Sequence, residues 1–197
     1  MKYTAFIFLL FCFFACKKDI ETVRVTEYDG AKVEYQLRLK DSMRCGTYSK
    51  HYATGELFET SNFKENKQDG ERKLFYKNGT TKTIEHYENG LYVGALQEYY
   101  ENGVLMQEGN YVNNVLEGAL KSFYPNGTLK EVVLMANNEE NGPFKEYYDN
   151  GILKAEGNYL DGDAEQGLLK LYNASGQLEK TMNCEKGRCV TTWALGK

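Results

Sequence analysis

Cys184 and Cys189 enclose four residues, Glu185-Lys186-Gly187-Arg188, and are the cysteines best placed for redox or cross-linking chemistry. In an oxidising compartment such a pair closes the end of a hairpin as a structural disulfide. Two free thiols, or a redox or metal-binding pair, are the other readings. Cys45 stands just before Gly46 and reads as a buried thiol, with pairing to Cys184 or Cys189 left open. The chain has two histidines, His51 and His86, in non-equivalent places, too few for a metal centre or a catalytic triad. Carboxylates are numerous but scattered, and no pair stands out with the separation that glycoside hydrolysis requires. No G-x-S-x-G, P-loop or metal-spaced Cys/His cluster occurs. The expectation is a protein without catalytic residues, metal or cofactor, and not an enzyme. A net charge of −4 with few arginines argues against a nucleic-acid partner.

One cysteine has a different meaning. Residues 5–15 (AFIFLLFCFFA) are apolar without a break and follow a single lysine, Lys2. As a helix this run spans about 16 Å, short of the roughly 30 Å of a bilayer core. It has the shape of a secretory signal. Ala15 precedes Cys16, and Lys17, Lys18, Asp19 and Glu21 follow at once. A small residue before a cysteine at the end of such a run resembles a bacterial lipobox. That resemblance implies cleavage before Cys16, acylation of Cys16 by fatty acid, and a membrane anchor. The charged run behind it resembles the export tags of surface lipoproteins. The expected address is the outer membrane, on its periplasmic side or at the cell surface.

The rest of the chain must supply the elements, and it repeats. Glycines stand at 46, 70, 94, 118, 142 and 167, with steps of 24, 24, 24, 24 and 25. A second series, Gly55, Gly79, Gly103, Gly127, Gly151 and Gly176, follows nine residues behind each. A fixed period of this size is the signature of a repeat array. The chain has 19 glycines, 16 tyrosines and 10 phenylalanines but only 2 prolines, which favours tight turns between strands. Asn-Gly occurs at 78–79, 102–103, 126–127 and 150–151, each behind an aromatic run. Asn-Gly predicts a two-residue type I′ hairpin turn. That turn sets Tyr100 opposite Leu105, Tyr76 opposite Thr81, Tyr124 opposite Leu129 and Tyr148 opposite Leu153. Alternation then places Leu96, Leu120, Phe144 and Leu169, with Phe63, Tyr87, Tyr111, Met135 and Tyr159, on one face, the expected core. Glu98, Glu131 and Glu146 fall on that same face. Residues 22–40 alternate around Asp29-Gly30 and read as a degenerate capping hairpin.

The opposite face carries the candidate binding residues. Phe75, Tyr99, Phe123, Tyr147 and Tyr172 form an aromatic row. Lys73, Lys121, Lys145 and Lys170 stand two residues before them, and the predicted register sets Lys82, Lys130 and Lys154 across from the rings. Lysine stems covering a thin sheet explain this pattern. A platform for an anionic or glycan-bearing partner explains it too.

The pattern G-x-[LF]-x-x-[YF]-Y-x-N-G-x-L, with Gly109-Asn110-Tyr111 and Gly157-Asn158-Tyr159 behind it, resembles the MORN repeat variant over about residues 22–183. Bacterial proteins of this kind carry the label YwqK-like antitoxin component. The resemblance implies an all-β, elongated, single-layer antiparallel meander of about six 24-residue hairpin repeats. It also implies membrane association and protein scaffolding, and the antitoxin label implies a toxin as partner. The expected division is a signal at 1–15, a lipidated tether at 16–21, a cap at 22–45, the array at 46–183 and a C-terminal cap at 184–197. The leading expectation is a scaffold or antitoxin-like binding lipoprotein. A glycan- or cell-surface-binding module using the aromatic–lysine face is the alternative.

Overall fold

The computed structural model describes residues 19–196. The signal at 1–15, Cys16 and the first residues of the tether lie outside the described residues. The chain forms β1 (Ile20–Thr26), β2 (Lys32–Arg38), β3 (Met43–His51), β4 (Leu57–Lys64), β5 (Lys67–Gln68) and β6 (Gly70–Phe75). It continues with β7 (Thr81–Glu88), β8 (Leu91–Tyr92), β9 (Gly94–Tyr99), β10 (Leu105–Val112), β11 (Val115–Leu116) and β12 (Gly118–Phe123). It ends with β13 (Leu129–Ala136), β14 (Glu139–Tyr147), β15 (Leu153–Tyr159), β16 (Gly167–Tyr172), β17 (Leu178–Glu185) and β18 (Arg188–Ala194). Each long strand pairs antiparallel with the next, so the described residues make one open antiparallel meander without helices. β5, β8 and β11 pair only with the ends of β4, β7 and β10. The all-β repeat architecture read from the glycine period is the one observed.

Two kinds of turn alternate, and the type I′ turn predicted at each Asn-Gly is not what forms there. At Asn102-Gly103 the Gly103 amide donates to Tyr100 O and the Tyr100 amide donates to Val104 O. Only Gly103 has a positive φ there, +84°. This is a three-residue loop with glycine in the left-handed position, not a two-residue type I′ turn. The same bonds recur at Tyr76, Tyr124 and Tyr148. Type I′ geometry sits at the other end of each hairpin. There Asn89 and Gly90, Asn113 and Asn114, and Asn137 and Asn138 all have positive φ.

The longer loop moves the pairing beside it by one residue. Tyr99 faces Leu105, Phe123 faces Leu129, Tyr147 faces Leu153 and Phe75 faces Thr81. A β-bulge then absorbs the extra residue, and from Glu98–Gln107 and Leu96–Gly109 onward the predicted register holds. Leu105, Leu129 and Leu153 therefore leave the expected core face and join the aromatic row. Lys82, Lys130 and Lys154 become bulge residues and do not stand across from the rings. Lys154 instead reaches Glu146 Oε1 at 2.6 Å, and Lys82 lies 5.7 Å from the Tyr76 ring.

The core lies on the expected face and is concentrated in the C-terminal half. Leu116, Val133, Met135, Phe144, Ala155, Leu169 and Cys184 form one buried cluster, with Tyr111, Leu120 and Tyr159 packed against it. Tyr92 stacks on Tyr87 and Tyr111, and Phe144 stacks on Tyr159 at 4.2 Å. Gly109 and Gly157 are strand glycines whose absent side chains leave room for this packing. A Cβ on Gly157 would lie 2.9 Å from Phe144 Cε1 and 3.2 Å from Leu169 Cδ1.

Candidate binding face

Each repeat is tied to the next along both sheet margins. At the loop margin the second aromatic of one unit donates its hydroxyl to the carbonyl of the first aromatic in the following unit. The bonds are Tyr52 to Phe75 O at 3.1 Å, Tyr76 to Tyr99 O at 2.7 Å, Tyr100 to Phe123 O, Tyr124 to Tyr147 O and Tyr148 to Tyr172 O, the last three at 2.8 Å. Asn78, Asn102, Asn126 and Asn150 donate from their side-chain amides to the next loop's backbone. Their side-chain oxygens accept the backbone amide two residues on, which holds each loop closed. At the other margin the side-chain oxygens of Asn66, Asn114 and Asn138 accept the amides of Arg44, Tyr92 and Leu116. The predicted register put Tyr76, Tyr100, Tyr124 and Tyr148 on the core face and missed the ladder. Their recurrence three residues before each loop glycine was the available signal.

The core face changes character toward the N-terminus, which the sequence reading did not foresee. Arg72 stands where Leu96, Leu120 and Phe144 stand in later units. It bonds Glu59 at 2.8 Å and Glu85 at 2.7 Å, and Glu85 also accepts from the Tyr87 hydroxyl. Burial would lower the pKa of this guanidinium, but the two carboxylates outweigh it and hold the value above the ordinary one. Glu131 and Glu146 are cross-strand neighbours on the same face, as the register implied. Burial, then the charges of Glu140 and Glu146, push the Glu131 carboxyl up. Burial and Glu140 likewise push the Tyr159 hydroxyl up to about 12.

The opposite face holds the predicted binding residues. Phe75, Tyr99, Phe123, Tyr147 and Tyr172 all lie on it, and all five are half-buried. Leu105, Leu129, Leu153 and Leu178 alternate with them across the strands. The Tyr172 hydroxyl is occupied by Glu156 Oε1 at 2.9 Å. Lys73 pairs with Glu71 at 2.7 Å, Lys121 with Glu108 at 2.8 Å and Lys170 with Glu156 at 2.9 Å. Lys145 is exposed and has no ion-pair partner among the described residues. The lysines therefore belong to a mixed-charge row more than to a basic surface.

In the C-terminal half this face is also apolar. Leu134 is 40% exposed, Leu168 52%, Val190 71% and Trp193 44%. Val132, Leu134 and Pro143 line a shallow hollow of about 280 Å³ together with Ala119 and the Lys145 stem.

Cys184 and Cys189 face each other across β17 and β18 and are joined by a disulfide, so the hairpin-end reading describes the structure. Cys45 is a free, half-buried thiol. The loop glycines Gly55, Gly79, Gly103, Gly127, Gly151 and Gly176 all adopt the left-handed conformation. Gly30 does the same in the loop joining β1 to β2.

No curated protein matches the chain. Residues 68–89, 92–113, 116–137 and 140–161 each match the family model described as the MORN repeat variant. Each matched segment runs from one type I′ margin to the next, and the chain carries four such repeats in tandem.

Proposed function

We propose that the protein is a non-enzymatic scaffold of the bacterial envelope, anchored by fatty acid on Cys16, that binds a partner protein through the open face of its repeat sheet. The observation that carries this reading is the exposed apolar surface of Leu134, Leu168, Val190 and Trp193 beside a row of paired lysines and glutamates. An apolar patch rimmed by charge is the usual form of a protein-binding surface. An antitoxin or immunity role, with a toxin as partner, is the finer version. A glycan partner is less favoured, because the half-buried rings offer sugars little flat area.

Capture from envelope extract tests the face. Leu134→Asp with Leu168→Asp should abolish capture and lower thermal stability only modestly, since about half of each side chain already faces solvent. Undiminished capture by the double variant would overturn the assignment. The anchor is tested separately by fatty acid labelling. Cys16→Ser should remove label and release the protein from membranes, and retained label would sink the lipoprotein reading.

A further inference from the structure

On the reading that the open face binds, we propose that its stretch from β10 to β16 takes a second copy of this chain, packed face to face about a two-fold axis that runs along the strands between β13 and β14. A single sheet with apolar side chains on both faces calls for a second layer. Among the described residues nothing covers Leu134, Pro143 and Leu168.

The order of charges favours a second copy as occupant and, of the two-folds along the strands, the one that brings the most opposite charges together. Glu108, Lys121, Val132, Lys145, Glu156 and Lys170 are successive cross-strand neighbours, so they form one row on β10, β12, β13, β14, β15 and β16. The signs along it run minus, plus, neutral, plus, minus, plus. A two-fold along the strands lays this row over its own reverse. Centred on β13, it would set Lys121 on Lys145 and Glu108 on Glu156. Centred on β14, it would set Lys145 on itself and Lys121 on Lys170. Centred between β13 and β14, Lys121 meets Glu156 of the second copy and Glu108 meets its Lys170. Lys145 then lays its stem on Val132, and Leu134 comes over Pro143. The row is complementary to itself in that setting, which is what an isologous interface requires.

The area is sufficient but small. Six strands about 4.8 Å apart and three side-chain rows give roughly 500–600 Å² per copy, or about 1,100 Å² in total. That lies at the low end for specific association, so a reversible dimer is expected. Two sheets packed this way sit about 10 Å apart and nearly aligned.

Thiol cross-linking of the whole chain in its own membrane tests the proposal. Two differently tagged copies are expressed together, one with Leu134→Cys and the other with Pro143→Cys. A short bismaleimide that bridges thiols across about 10 Å should give with this pair a band of twice the chain mass, absent from the parent and much weaker with either variant alone. Lys121→Glu in one copy should remove the band, and Glu156→Lys in the other should restore it. A band from Leu134→Cys with Leu168→Cys, and none with Pro143→Cys, would overturn the axis. If no pair cross-links while the parent still captures an envelope protein, the self-association is overturned and the partner-binding reading stands.

Discussion

The tyrosine ladder makes a quantitative demand on stability. Tyr76, Tyr100 and Tyr124 each donate a hydroxyl to a backbone carbonyl of the next repeat, at 2.7, 2.8 and 2.8 Å. Replacing all three by Phe keeps the rings and their packing and deletes only the bonds. A hydrogen bond of this kind contributes about 1 kcal/mol, and more where the abandoned acceptor stays dry. The three sites are one repeat apart, about 10 Å, so their effects should nearly add to about 3 kcal/mol. Urea unfolding followed by circular dichroism is the assay. The midpoint should fall with the slope unchanged, because the same surface is exposed on unfolding. Tyr99→Phe and Tyr147→Phe are the controls, since neither hydroxyl has a bond among the described residues. Each should cost less than about 0.5 kcal/mol. A triple variant as stable as the parent, or controls as costly as the triple, would refute the ladder as a bond between repeats.

Three further outcomes follow from the core face. Arg72→Met leaves buried Glu59 and half-buried Glu85 without a counter-charge, and should cost about 3 kcal/mol in denaturant unfolding. Gly157→Val drives a branched side chain into Phe144 and Leu169, and should cost about 1–3 kcal/mol by the same measurement. Glu131→Gln should raise the melting temperature near neutral pH. The folded-state pKa of Glu131 lies above its unfolded value, so its ionisation subtracts stability as pH rises through the folded value. The gain over the parent should disappear at about pH 3, where Glu131 is protonated in both states.

The architecture was legible because its determinants are local and repeated. A left-handed position is needed once per loop, glycine fills it at a period of 24, and an apolar stripe returns at the same period. The loop chemistry was less legible. Asn-Gly serves both a two-residue type I′ turn and the end of a three-residue loop, and the choice depends on how the flanking strands meet. The wrong choice would ordinarily turn every side chain over. Here the bulge at Leu105–Gln107 returns the residue that the loop adds, so the faces came out right away from the loops and wrong beside them. That is why Leu105 and Lys154 changed sides while Leu96 and Phe144 did not.

The same reasoning explains why the binding face was only half visible. The alternation that places Tyr99 and Lys121 on one face is a property of the strand, and it held. The pairing of Lys121 with Glu108, and of Lys170 with Glu156, depends on which strands become neighbours, and on residues 13 and 14 positions apart. Reading along one strand shows a basic stripe. Reading across strands shows charges that alternate in sign beside Leu134 and Leu168, with Lys145 left over. A stripe of one sign would attract any polyanion and would repel its own copy. A row of both signs discriminates by order, and a partner with charges along it avoids opposing like charges only where its order is complementary. The chain's own reverse is one such partner.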